Sequence, residues 1–480
     1  MPETLKEKTA KGLFWGIMNS GSTQVINAVF GIFVGRILCP ADYGVVAVLT
    51  IFTLIAGNLQ SSGFSQGLVN LKNPTANDYN SVFWFNIIVS LAIYSLLFVS
   101  APLIADYFRQ PCLVEVSRFV FLGFVISAFG IAHSAYMTKN MMNKEIAISG
   151  FWAVVSSNVT GLVMALCGMA YWSLAWQQIV YIFVLNMGRY YYTKWHPTFH
   201  IDFKPVKGMF SFSVKILVTN IINTISNNLL TFIFGRLFPI REVGNYSQAY
   251  NWDTKANSFV SSAVGQIAQP VLAAVREERS QQVVVFRKML RFTAFVSFPI
   301  MFGLTLVSHE FILLTIHEQW TDSIPLLRIL CIGGAFIPLY TLYQNLAISN
   351  GRSDIYMRCN IVQLAVFMAI VYICHHFSML VMVCSYTVFT ILWLLVWQYL
   401  MKRTVGLKFG DVVRDVFPFM LVSAAVMGIT YCLTMSLQNL LLLLFSRILI
   451  AGVLYLAILK LLNAKILEEC LLFLKQRRRH

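Results

Sequence analysis

The chain is a series of apolar segments, each roughly two dozen residues long, with charges gathered at the joints. They run at about 13–37, 44–69, 81–105, 113–138, 146–168, 172–192, 209–235, 244–270, 288–308, 324–348, 355–377, 379–401, 412–434 and 439–462. About 20 helical residues cross roughly 30 Å of hydrocarbon, so each segment is long enough to span a bilayer. The pattern predicts an all-α integral membrane protein of about 14 transmembrane helices, with 12 as the alternative. The segments 44–69 and 244–270 are the most polar, and 355–401 is a tight pair.

Three charges interrupt this pattern. Asp253 and Lys255 lie in the middle of segment 244–270, and Lys215 lies in the segment before it. A charge at the bilayer centre costs about 2.5–3.5 kcal/mol on insertion scales, so such residues usually face a watery cavity and handle a substrate or ion. Asp253 is the one acidic side chain expected near a midplane. The chain therefore reads as a transporter.

Composition agrees: 58% of residues are hydrophobic and only 12% charged, outside the range of soluble domains. Arg36, Arg109, Arg118, Arg236, Arg241, Arg328 and Arg447 fall on one side of the predicted spans. Lys215 and Lys255 lie within spans, and the rest of the 36 lysines and arginines fall on the N-terminal side. This positive-inside bias predicts cytoplasmic N- and C-termini and an even number of spans. The net charge of +16 is thereby explained by topology and by membrane lipids, whose anionic headgroups attract it; no nucleic acid is implied. The tail AKILEECLLFLKQRRRH combines a leucine-rich face with a basic end and is expected to lie along the inner interface.

The start MPETLKEKTAKG is polar, and the first apolar run has full membrane length with no A-x-A site, so no cleavable signal is expected. The nine cysteines lack a C-x-x-C and read as small core residues. The eight histidines show no H-E-x-x-H, and His375 and His376 fall in a short outer turn. No metal centre and no cofactor are expected.

The chain repeats itself. Residues 35–44 read GRILCPADYG and residues 235–244 read GRLFPIREVG. Upstream, Asn19, Thr23 and Asn27 correspond to Thr219, Asn223 and Asn227, four residues apart and so on one helix face. Trp15 corresponds to Lys215. Downstream, Thr50, Thr53, Gly57 and Ser61 correspond to Tyr250, Asp253, Asn257 and Ser261. Spans 1–2 thus recur as spans 7–8, a parallel repeat about an axis along the membrane normal. The predicted domains are a six-helix bundle at 1–192, a cytoplasmic linker at 193–208 and a second six-helix bundle at 209–401. Appended helices 13 and 14 follow at 402–462, with no ionisable residue in their centres, and then the basic tail at 463–480.

Polar stripes on membrane helices commonly serve only as helix contacts. Four helices symmetric between the halves, with charges on the later pair, favour a hydrated cavity instead. Arg36 and Arg236, near outer span ends, read as snorkelling or capping residues. Asp253 and Lys255, two residues apart, lie about 200° around the helix and do not face each other. A Lys215–Asp253 pair is geometrically open. Pro299, Pro338 and Pro418 fall inside spans and are expected to kink them.

The runs KGLFWGIMNSGSTQVINAVFGIFVGRILCPADYGVVAV, GFSQGLVNLKNPTANDYNSVFWFNI, FGRLFPIREVGNYSQAYN, PVLAAVREERSQQVVVFRKMLRF and EQWTDSIPLLRILCIGG resemble bacterial polysaccharide flippases of the Wzx type, in the WzxC-like branch. The resemblance covers residues 11 to about 350; Gly35 stands where alanine is usual. It implies the fold of a superfamily shared with multidrug extruders of the MATE type and the lipid II flippase. It also implies alternating access and an undecaprenyl-pyrophosphate-linked oligosaccharide as substrate, moved from the inner to the outer leaflet of the cytoplasmic membrane. Other polysaccharide-export proteins would be partners by the same analogy. On this reading Lys215 and Lys255 would hold the pyrophosphate. Asn19, Thr23, Asn27, Thr219, Asn223, Asn227, Tyr250 and Asn257 would meet sugar hydroxyls. Asp253 would tune the lysines or take up the coupling proton or sodium ion. A MATE-like drug exporter remains open, though the cavity reads as net basic. A membrane glycosyltransferase or polymerase would want a larger outer loop than 309–323 and a D-x-D at a span end.

Overall fold

The computed structural model describes residues 5–61, 64–71, 73–199, 202–203, 206, 221, 224–225, 228–462 and 466. Within these, the side chains of 5–14, 16–20, 59–61, 64, 66, 70, 266 and 353 are not described. The chain forms two compact units, Met1–Gly244 and Asn245–His480.

The first unit holds α1 (Leu5–Ile37), α2 (Pro40–Ser61), α3 (Phe64–Asn70), α4 (Ala76–Phe108), α5 (Leu113–Lys139), α6 (Asn143–Leu166) and α7 (Tyr171–Tyr192). The short α8 (Asn228–Leu237) follows, then the first residues of α9 (Ile240–Ala274). The second unit holds the rest of α9, then α10 (Arg279–Ile316), α11 (Ser323–Gly334), α12 (Ile337–Ser349), α13 (Ser353–Cys374), α14 (Met379–Val405), α15 (Phe409–Thr434) and α16 (Leu440–Leu461). Among the described residues, 10 stretches are long and apolar enough to cross a membrane, 323–349 counting as one. This is an all-α, multi-pass membrane protein. The helices α1, α7 and α9 stand outside those 10, and most of 209–235 lies outside the described residues.

Local chemistry sets several boundaries. Thr75 caps α4: its hydroxyl accepts from the Asp78 N–H, and the Asp78 carboxylate accepts from the Thr75 N–H at 2.7 Å. Both otherwise orphaned donors of the first turn are thereby satisfied. The linker after α7 is strapped to the first unit. Trp195 packs against Tyr79, Phe83 and His133, and the Trp84 indole donates to the Thr198 carbonyl at 2.7 Å. Of the expected kinks, Pro338 sits at the start of α12 just after a break, whereas α10 and α15 continue through Pro299 and Pro418.

The two copies of the repeated motif meet within the first unit. A Cβ on Gly44 would stand 2.1 Å from the Ile240 carbonyl oxygen, and one on Gly244 would stand 1.7 Å from that of Pro40. Position 40 is to 240 as 44 is to 244, so the contact is reciprocal, as a local two-fold requires. Only glycine permits this approach of backbone to backbone. Arg236 donates to the Tyr107 carbonyl at 2.5 Å with its guanidinium over the Tyr107 ring, so it ties α8 to α4.

In the second unit the last two helices are clasped to α10 at both ends. At one end Arg287 bonds Asp415 at 2.6 Å and approaches Asp411 at 3.4 Å. At the other, buried Arg447 pairs with buried Glu310 at 2.9 Å and donates to the Thr434 hydroxyl at 3.1 Å. Between them the Tyr455 hydroxyl donates to the Phe295 carbonyl at 2.8 Å. The expected outer loop 309–323 is helical as far as Ile316, and the Glu310 within that last stretch of α10 is matched by Arg447. Removing one member of such a pair leaves a buried charge unmatched. Arg447→Met is expected to destabilise the fold by about 3–5 kcal/mol, and Arg447→Met with Glu310→Met to recover most of that loss. Thermal unfolding of the purified variants in detergent measures both; equal melting of Arg447→Met and wild type would contradict it.

The cysteine expectation needs correction. Cys331 and Cys359 are buried, but Cys39, Cys167, Cys384 and Cys432 are exposed. Cys384 and Cys432 lie on membrane-length helices, where lipid as apolar as a protein core gives a small apolar residue no reason to turn inward, whereas Cys39 and Cys167 stand at the joints after α1 and α6.

Candidate functional site

Tyr250, Asp253 and Asn257 share one face of α9, three and four residues apart. Asp253 is 2% exposed and Asn257 5%. The Asn257 amide donates to Asp253 Oδ2 at 3.2 Å. Asp253 Oδ1 is buried with no hydrogen-bond partner among the described residues. It points at a helix break: α11 ends at Gly334, Ala335 and Phe336 turn, and α12 begins at Ile337. The cause is Pro338, whose missing N–H leaves the Gly334 carbonyl without its helical donor. The break is braced by the Ser297 hydroxyl, which donates to the Ala335 carbonyl at 2.7 Å. A Cβ on Gly334 would stand 2.2 Å from Asp253 Oδ1, so the missing side chain is what lets the carboxylate reach the break. The phenols of Tyr246, Tyr250 and Tyr386 lie within electrostatic reach of the carboxylate. A buried carboxyl group aimed at an interrupted membrane helix is an arrangement suited to holding a proton or small cation.

Lys255 goes elsewhere. Its ammonium lies 4.5 Å from the centre of the Trp252 ring, which packs edge-on against Phe311 at 4.8 Å. A cation over an indole face is held by the ring's electrostatic field rather than by a carboxylate. The structure thus brings Asp253, Asn257 and Tyr250 together and holds Lys255 on a separate aromatic platform.

In the first unit, Asn27 accepts at Oδ1 from the Asn158 amide at 2.9 Å, and Gln177 donates to Asn158 Oδ1 at 3.0 Å. This amide chain links α1, α6 and α7, a role interhelical polar residues often take. Thr23 is half-buried. Asn58 donates to the Thr224 hydroxyl at 2.6 Å, joining α2 to the chain before α8. Lys215, Thr219, Asn223 and Asn227, with the side chain of Asn19, lie outside the described residues, and so does a Lys215–Asp253 pair. Sequence reading missed Gly334, Asn158 and Gln177. The G-G before an apolar Pro-containing stretch at 333–338 was the available signal for the first.

The family model described as "Polysaccharide biosynthesis protein" matches residues 33–325. The chain belongs to that family. The polysaccharide biosynthesis relatives include the teichuronic acid biosynthesis protein TuaB of Bacillus subtilis, 24% identical, covering 92% of this chain and 91% of TuaB. The lipopolysaccharide biosynthesis protein WzxC of Escherichia coli is 23% identical, covering 75% and 73%. Among solved structures, the lipid II flippase MurJ in an inward closed conformation superposes with a TM-score of 0.78 at 12% identity, over 95% of this chain and 99% of MurJ. The two proteins share a fold.

Proposed function

We propose that this member of the polysaccharide biosynthesis family is a lipid-linked oligosaccharide flippase of the cytoplasmic membrane, with both termini cytoplasmic. It carries undecaprenyl-pyrophosphate-linked repeat units from the inner to the outer leaflet by alternating access, without a catalytic step. The observation that carries this reading is family membership over 33–325, joined by relatives named for teichuronic acid and lipopolysaccharide biosynthesis that align over most of their length. The MurJ-like fold supports it. Asp253, with one buried oxygen unmatched, takes up the proton or sodium ion that drives the cycle. Lys255, held on Trp252 and free of a carboxylate partner among the described residues, binds the pyrophosphate by charge-assisted hydrogen bonds. Of the stripe residues, the half-buried Tyr250 and, in the first unit, Thr23 offer hydroxyls for sugar hydroxyls, whereas Asn257 serves Asp253 and Asn27 serves Asn158. Other polysaccharide-export proteins act beside it by analogy.

The test is leaflet exchange of fluorescent undecaprenyl-pyrophosphoryl oligosaccharide in proteoliposomes. Exchange is expected to depend on the protein, and Lys255→Ala to slow it about tenfold, the worth of one charge-assisted hydrogen bond. Wild-type exchange by Lys255→Ala would remove the anion-clamp role. Efflux of organic cations without glycan exchange would move the protein to the drug-exporter side of its superfamily.

A further inference from the structure

A second basic site lies in the second unit, at the end that the lysine and arginine bias assigns to the cytoplasm. A pocket of about 460 Å³ is lined there by Arg279, Arg352 and Arg403, with Asn350 and Thr404 between them. Three elements converge to build it: the first residue of α10, the residue before α13 and the last turn of α14. Two glycines in the left-handed region set its edges, Gly351 at φ 71° and Gly406 at φ 79°, where the chain turns beside Arg352 and Arg403. The Gly406 N–H donates to the Lys402 carbonyl at 3.1 Å, which closes α14 there.

The charges are not cancelled. Arg352 bonds Asp354 at 3.1 and 3.3 Å, and Arg403 lies over the Tyr399 ring at 4.6 Å. Glu278, beside Arg279, accepts from the Ser280 hydroxyl. Among the described residues, Asp354 is the one carboxylate in salt-bridge contact with any of the three guanidiniums that line the pocket. The rest of the lining is aliphatic, from Ile355 and Leu400. Above it, Val388, Leu392, Leu395 and Tyr399 continue on the same side of α14 as Arg403, each about half exposed. The upper part of that stripe lines an apolar groove of about 510 Å³ between α13 and α14. From Arg403 to Leu392 the helix rises about 16 Å, close to the length of an acyl chain.

We propose that the Arg279–Arg352–Arg403 pocket holds the phosphate of an anionic phospholipid whose acyl chain lies along the apolar stripe of α14. Guanidiniums are suited to phosphate because their paired N–H groups match two phosphate oxygens at once. Basic pockets between membrane helices on the cytoplasmic side are where anionic headgroups dock. A soluble phosphate would satisfy the arginines but has no use for the stripe. The inference stands apart from the flippase reading, since no residue of the Asp253 or Lys255 sites takes part.

The experiment is native mass spectrometry of the full chain in detergent, titrated with phosphatidylglycerol, with phosphatidylcholine of the same acyl chains, or with inorganic pyrophosphate. Phosphatidylglycerol is expected to be retained about tenfold better than phosphatidylcholine. Arg279→Gln with Arg403→Gln should erase that preference, and Lys402→Gln, just outside the pocket, should keep it. Thr404→Trp, which fills the pocket without removing charge, should also erase it, so the outcome does not hang on one fragile variant. Unchanged preference in both pocket variants would overturn the site. Binding of pyrophosphate with the same variant pattern, and of neither lipid, would overturn the lipid assignment in favour of a soluble anion.

Discussion

Gly244→Ala is expected to cut glycan export at least tenfold while the protein still inserts in the membrane. The added Cβ would lie 1.7 Å from the Pro40 carbonyl oxygen, with the Gly44 nitrogen at 3.1 Å. Both are backbone atoms, so no side chain can rotate out of the way, and one of the two helix starts must shift. Overpacking usually costs about 1–3 kcal/mol, and a clash with backbone belongs at or above the top of that range. A shift in free energy of that size changes the balance of two conformations by tenfold or more. Gly44→Ala, which meets the Ile240 carbonyl oxygen at 2.1 Å, should behave alike because the contact is reciprocal. Gly428→Ala in α15 is the control, since a Cβ there meets nothing within 4 Å. The measurement is cell-surface glycan per inserted protein. Wild-type export by Gly244→Ala and Gly44→Ala would mean that the close approach plays no part in transport.

Asp253→Asn is expected to abolish the dependence of export on an ion gradient, with at least a tenfold loss of net transport in proteoliposomes. The amide keeps the shape and can still bond Asn257, but it cannot neutralise or exchange a cation. Passive leaflet exchange should survive. Gly334→Ala should reproduce the loss by a different route, because its Cβ would press on Asp253 Oδ1 at 2.2 Å and on Met301 at 2.6 Å. If the defect of Gly334→Ala comes through the carboxylate, adding Asp253→Ser should leave export no worse than in Asp253→Ser alone, a non-additivity expected of groups in contact. Fully gradient-driven export by Asp253→Asn would remove this residue from the coupling.

Much of the helical architecture is legible along the chain because each span must satisfy its own backbone hydrogen bonds in lipid, which forces long apolar runs. The capping of α4 by Thr75 and Asp78 is equally local. The end of α10 is not. Residues 309–323 look like a loop because they hold His309, Glu310, His317 and Glu318. Residues 309–316 nevertheless continue α10, with Glu310 lying 2.9 Å from Arg447, far along the chain, and the helix stops at His317, whose φ is 70°.

Asp253 stands out in the sequence as a charge inside an apolar run, and its exclusion from Lys255 follows from helical angle alone. What the carboxylate faces does not follow. Its setting depends on Gly334, 81 residues away, whose role is visible only as the space that a side chain would fill. The repeat shows the same division. Residues 35–44 and 235–244 match by inspection, and periodicity puts their neighbouring polar stripes on helix faces. That their glycines press reciprocally on each other's backbone was decided by tertiary packing. Patterns of hydrophobicity and spacing are properties of neighbours in the chain, whereas close approach and charge pairing belong to residues that only folding makes neighbours.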